Sequence, residues 1–231
     1  MGELPMAAKR TVRAGTSRKA IGAATALVRA MHRAHSLSEF FSADTRTGNA
    51  FVKVDRDIVA MTPTGDKFNI CLGGLSLVDI STGLSVNGIR QSTESLMYAR
   101  ILEKMPETTA GIHLHGRLSP PFIRAFGADA LEIGDFAESD YYLGKKARSD
   151  RVVITKGRSG SDGLAKMVAK AFADGANVVV IEGSDGEYHG TVAISALSNP
   201  DAAIMEALNR LVDIEYMAGV KMIERKLKRK A

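Results

Sequence analysis

Residues 92–116 read STESLMYARILEKMPETTAGIHLHG, a helix followed by a strand. Ser92 is a suitable N-cap, and Leu96, Ala99, Ile101 and Leu102 give the apolar face of a helix running to Lys104. A strand is expected near Thr109–His115. It finishes on His113-Leu114-His115, and side chains at i and i+2 point to the same side of a sheet. Both imidazoles therefore reach a common point without any bend in the backbone. Glu94 stands at the start of the helix, nineteen residues before His113.

The flanking sequence alternates in the same way. Ser17 can cap a first helix with Ile21, Ala24, Leu27, Val28 and Met31 on one face. Phe51–Val54 and Ile58–Met61 read as strands about the turn Asp55-Arg56-Asp57, and Leu75–Ile80 follows Gly73-Gly74. Beyond His115, Pro120-Pro121 argues against a helix, and residues 116–150 carry no clear period. Strand Val152–Thr155, helix Leu164–Ala173 and strand Asn177–Ile181 come next, then a turn at Gly183–Gly186 into strand Glu187–Ile194. Pro200 opens a long last helix. Hairpins mixed with helices predict an α/β fold, three layers α/β/α around a mixed, mostly antiparallel central sheet. One domain is expected over residues 17–225, with a loosely ordered extension at 1–16 and a basic tail at 226–231.

Composition narrows the function classes. The 231 residues are 45% hydrophobic and 25% charged, which excludes disordered and collagen-like chains. No apolar run approaches the roughly 18 residues that span a bilayer, and the first residues lack the blocks of a signal peptide. The single cysteine, Cys71, excludes a disulfide framework within the chain. A cytoplasmic protein with no membrane partner is expected. The net charge is +5, and residues 221–231 hold six basic residues against Glu224, so the remainder is neutral. Cations at a helix C-terminus suit its dipole. No basic stripe interleaved with aromatics is present, so nucleic acid is not an expected partner.

The chemistry centres on the histidines, of which there are five. His113 and His115 alone read first as a solvated strand end, since two ligands do not close a metal site. His189, on the last strand, offers a third neutral nitrogen, and three nitrogens with an open position describe catalytic zinc. Glu94 is either a first-turn glutamate favoured by the helix dipole or a base beside that metal. Thr62-Pro63-Thr64-Gly65 is either a plain turn or an anion loop in which Gly65 lets backbone N–H groups approach closely.

Four motifs in this order resemble the class II aldolase/adducin family over residues 17–225: Gly48-Asn49 before a strand, Thr62–Gly65, Ser92-Thr93-Glu94 with His113-x-His115, and Tyr188-His189-Gly190 before the last helix. Phe51 stands where the family usually carries a serine. The resemblance implies Zn²⁺, or another divalent ion such as Mn²⁺ or Co²⁺, held by His113, His115 and His189. Glu94 would then be the acid/base and Tyr142, or its neighbour Tyr141, a second catalytic group. Asn49, Thr64, Gly65, Ser92 and Thr93 would cradle a substrate phosphate.

The implied activity is a metal-dependent aldolase acting on a small phosphorylated sugar through a zinc-stabilised enediolate, in a homotetramer with sites near subunit boundaries. Epimerisation, dehydration or decarboxylation of a sugar phosphate on the same scaffold, or a non-catalytic adducin-like role, are the competing expectations. Leu208, Leu211, Val212 and Ile214 on the last helix are available either for the tetramer or for the chain's own sheet.

Overall fold

In the computed structural model the described residues are 18–228 apart from 43, 45–46, 66–70, 128–151 and 184–187. Tyr141 and Tyr142, the N-terminal extension and the last three residues of the tail lie outside them. The strands are β1 (Asn49–Lys53), β2 (Ile58–Met61), β3 (Ser76–Asp79), β4 (Ala110–Leu114), β5 (Val152–Lys156), β6 (Val178–Glu182) and β7 (Tyr188–Ser195). They form one seven-stranded sheet in the order β3-β2-β1-β4-β7-β6-β5. Every pairing is antiparallel except β5 with β6, whose parallel connection is made by a helix. The mixed, mostly antiparallel sheet is as expected.

Period-2 alternation divides the apolar side chains between two cores. On one face Ala50, Val52, Ala110, Ile112, Leu114, Val178, Val180 and Ala193 pack against α1 (Arg18–Ser36), α3 (Ser119–Phe126) and α5 (Pro200–Lys228). On the other, Phe51, Met61, Val179, Ile181, Val192 and Ile194 meet α2 (Ser95–Lys104) and α4 (Asp162–Ala173). Strand β6 is consequently apolar at consecutive positions, because both its faces are covered. The three layers follow from this division. Among the described residues no helix is long and apolar enough to cross a membrane.

Several boundaries differ from expectation, each for a physical reason. Helix α2 starts at Ser95 with Glu94 at the N-cap, and Ser92 accepts a bond from the Glu94 N–H (3.4 Å) instead of capping the helix. Residues 92–94 form the turn that presents Glu94. Pro120-Pro121 does not exclude a helix: both prolines lie in the first turn of α3, where their missing N–H groups need no partner. Ile21 is 44% exposed, and α1 buries Ala23, Ala24, Leu27, Ala30, Met31 and Ala34. Leu208, Leu211 and Ile214 are buried in the chain's own core, so they present no surface to a neighbouring subunit.

The centre of the second core is a close contact between β1, β4 and α2. Phe51 and Tyr98 stack tilted with centroids 4.6 Å apart, and the Tyr98 hydroxyl donates to the Asn49 carbonyl at 3.1 Å. Gly111 lies beneath the Phe51 ring, and a Cβ there would come within 2.6 Å of it. Gly111→Ala is therefore expected to lower stability by about 1–3 kcal/mol, read as a lower urea midpoint with an unchanged slope.

Candidate metal centre

The three histidines come from neighbouring strands but not from simple alternation. His113 lies opposite Val192 in the β4–β7 register and shares its face of the sheet. Counting in twos from Val192, His189 would fall on the opposite face. A register shift in β7 intervenes, with Ile181 paired to Gly190 and Glu182 to Tyr188, so that His189 is the extra residue. Such a bulge re-aims one side chain. Tyr188 consequently reaches its hydroxyl to Thr191 on the α5 side, while His189 joins His113.

The clustering is tight. Each of His113, His115 and His189 offers a ring nitrogen, and the three nitrogens lie within 4.8 Å of one another. Ring centroids are 5.1–5.2 Å apart, with His113 and His189 stacked and His115 edge-on to both. His113 is fully buried, whereas His115 and His189 are half-buried, so the cluster opens to one side. The set fits a divalent cation: three ring nitrogens converge, no carboxylate belongs to the triad, and an open side remains for a further ligand.

Glu94 faces the triad from the start of α2 and is buried. Its Oε1 is 2.9 Å from His189 Nε2 and its Oε2 is 3.5 Å from His113 Nε2. Asn49 Nδ2 donates to Oε2 at 2.5 Å, and the Ser159 hydroxyl donates to Oε1 at 3.1 Å. Burial alone would raise the Glu94 carboxyl, but the neighbouring His113 charge and the His189 hydrogen bond outweigh it and hold the group well below the usual carboxylate range. The carboxylate is thus ionised, with each oxygen oriented by one protein donor besides the histidines.

The loops expected to bind phosphate adjoin this centre. Pro63 bridges to Gln91, the Thr64 N–H donates to the Arg90 carbonyl, and the Thr64 hydroxyl donates to the Gln91 carbonyl at 2.5 Å. These contacts place the Thr62–Gly65 turn beside the residues that begin Ser92-Thr93-Glu94. Gly65 has φ +108 and open space around its Cα, a conformation that suits glycine. Ser92 is buried and Thr93 exposed. Asn49 is also at the centre, although its amide donor is directed at Glu94.

Two residues escape a reading of the sequence alone. Ser159 lies in the loop Gly157–Ser161 between β5 and α4, and a strand-to-helix loop of glycine and serine is its only signal. Glu215 is buried on α5 among Leu211, Ile214 and Ala218. A lone acid on an apolar helical face is its signal.

The family model described as Class II Aldolase and Adducin N-terminal domain matches residues 25–222. L-fuculose-1-phosphate aldolase from Thermus thermophilus has a similar structure, with a TM-score of 0.66 at 18% identity, covering 92% of this chain and 98% of that one. YgbL from Escherichia coli, described as a putative aldolase/epimerase/decarboxylase, has a TM-score of 0.66 at 21% identity over 87% of this chain and 88% of its own. A sugar-phosphate aldolase from Thermotoga maritima has a TM-score of 0.57 at 17% identity over 91% and 96%. No curated protein matches the chain by sequence. At these identities the structures share the fold alone, but the family match covers most of the chain and takes in Glu94 and all three clustered histidines. The chain belongs to the class II aldolase and adducin family.

Proposed function

We propose that the protein is a metal-dependent aldolase that makes or breaks a carbon–carbon bond in a small phosphorylated sugar. The observation that carries this reading is the convergence of His113, His115 and His189 on one point with the buried Glu94 carboxylate 2.9 Å from His189. A scaffold protein has no use for such a buried polar cluster. Zn²⁺ is the proposed ion, with Mn²⁺ or Co²⁺ as substitutes.

His113, His115 and His189 would hold the cation. Once bound, it would act as a Lewis acid on the oxygens beside the bond to be cleaved. Glu94 takes up or returns a proton at its Oε1 or Oε2, close to the triad and screened from bulk water. Asn49 and Ser159 fix the carboxylate orientation during that transfer. Gly65 and the start of Ser92-Thr93-Glu94 fix the phosphate, with Thr64 tying the two loops together and Asn49 at their base. Tyr142 serves as a second proton donor, reaching a neighbouring subunit's site in a cytoplasmic homotetramer.

His113→Ala, His115→Ala and His189→Ala are each expected to weaken zinc binding sharply, measured by chelator competition. Tight stoichiometric zinc in any one of them would remove that histidine from the ligand set.

Glu94→Gln keeps the volume and removes the base. Its kcat is expected to fall by about 10²–10⁴ while affinity for a phosphate ester survives. Thr64→Ala and Ser92→Ala should instead raise KM, by about 1 kcal/mol each in binding. A panel of ketose phosphates assayed with Zn²⁺, following both carbon–carbon cleavage and epimerised or decarboxylated products, discriminates the aldolase reading from its neighbours on this scaffold.

The tetramer is tested by mixing Tyr142→Phe with Glu94→Gln. Subunit exchange should restore part of the activity, because some mixed sites contain both intact residues. A fully active monomer by light scattering would overturn the arrangement.

A further inference from the structure

The strongest feature outside the site lies on the opposite face of the sheet. Glu215 projects from α5 and is 1% exposed. Its Oε2 accepts from the backbone N–H groups of Arg117 (2.9 Å), Leu118 (2.6 Å) and Ser119 (3.2 Å), and its Oε1 accepts from the Ser119 hydroxyl. These donors are the first N–H groups around the start of α3, and the prolines that follow leave no others there. Gly116 passes so close that a Cβ would sit 1.9 Å from Glu215 Oε1. The carboxylate therefore grips the chain in the segment immediately following His115.

The grip extends to the second histidine strand. The Ser119 hydroxyl lies 3.4 Å from the Tyr188 hydroxyl, which also bonds Thr191, spanning the bulge that contains His189. One buried carboxylate thus reaches both strand ends: directly to the residues after His115, and through Ser119 and Tyr188 to those flanking His189. A helix start needs only one side-chain cap. A fully buried acid placed beneath two ligand-bearing strands does more than that minimum.

We propose that Glu215 is a positioning residue for the histidine triad, fixing the relative placement of His115 and His189 from the far side of the sheet. The proposal rests on reading the triad as a metal site. Groups hydrogen-bonded directly to metal ligands change affinity by about 10–100-fold when removed; Glu215 acts one step further out, through backbone and Tyr188, so its effect falls at the lower end, about 10-fold.

The probe is Co²⁺ alone, titrated into the full chain against a chelator, with its visible d–d spectrum recorded. Glu215→Gln presents an amide where a carboxylate accepted several N–H groups, and is expected to weaken Co²⁺ binding by about 10-fold and to alter the spectrum. Leu208→Ala, a buried core truncation on the same helix, controls for lost stability and is expected to leave both readouts of the folded protein unchanged. Equal effects of the two variants, or an unaltered affinity and spectrum in Glu215→Gln, would overturn the proposal. Should Glu215→Gln not fold, Ser119→Ala and Tyr188→Phe cut the relay while keeping the backbone bonds. Each is expected to weaken Co²⁺ severalfold, and wild-type affinity in both would overturn it. A wild-type chain that binds no Co²⁺, Zn²⁺ or Mn²⁺ would instead dispose of the metal reading itself.

Discussion

A buried imidazole must be enclosed without being crowded, and the contact between His113 and Gly190 is where this protein meets that requirement. A Cβ at position 190 would lie 2.2 Å from His113 Cε1 and 2.8 Å from Nε2, inside any allowed separation. Only glycine lets β7 run alongside β4 with His113 fully buried between them. The bulge at His189 depends on the same stretch, since the residue displaced by the register shift is the one that completes the triad. Gly48 answers a similar demand on the other side of β4, with φ +75 and a Cβ position 2.6 Å from the His113 carbonyl. The centre is thus assembled by removing side chains around one histidine as much as by adding ligands.

The sheet separates two carboxylates of opposite character. Glu94 faces the histidines, whose charge and hydrogen bonding outweigh its burial and hold it ionised. Glu215, on the α5 side, is held by neutral donors, and burial pushes its carboxyl up despite bonds from Ser119 and the backbone. The first stays charged beside an open cluster, the second suits a closed structural joint. Tyr188 sits between the joint and the strand end, and burial together with the Glu215 charge pushes its hydroxyl up to about 12, so it stays a neutral hydrogen-bonding link.

Much of this arrangement is legible in residues 92–116. The i, i+2 spacing of His113 and His115 fixes their common face, and the β-rich runs Phe51–Val54 and Ile58–Met61 about the turn Asp55-Arg56-Asp57 give the first hairpin. His189 is legible as a candidate third nitrogen on the last strand, but its face is not, because strict alternation assigns it to the wrong side and a bulge leaves no local mark. The start of α2 misleads for a related reason: Ser92 has the right side chain for a cap, but its hydroxyl faces Glu94 within the turn. Pro120-Pro121 misleads because a proline pair breaks a helix interior and favours a helix start, and the choice depends on Glu215, almost a hundred residues away. Ser159 and Glu215 belong to the same class: their partners lie far along the chain, and pattern within a window does not see them.

The packing of α1 on α5 has a consequence for synthesis. The first described helix buries its alanine-rich face against β1, β2 and the last helix, and Arg29 pairs with Asp201 at 2.7 Å across the two helices. The central strand β4 likewise has β7 as one of its two neighbours, and β7 is made some eighty residues later. A nascent chain emerging from the ribosome therefore carries the α5-facing side of α1 and one edge of β4 uncovered until much of the polypeptide has been made. Contacts of such long sequence separation slow folding and prolong the exposure of apolar surface.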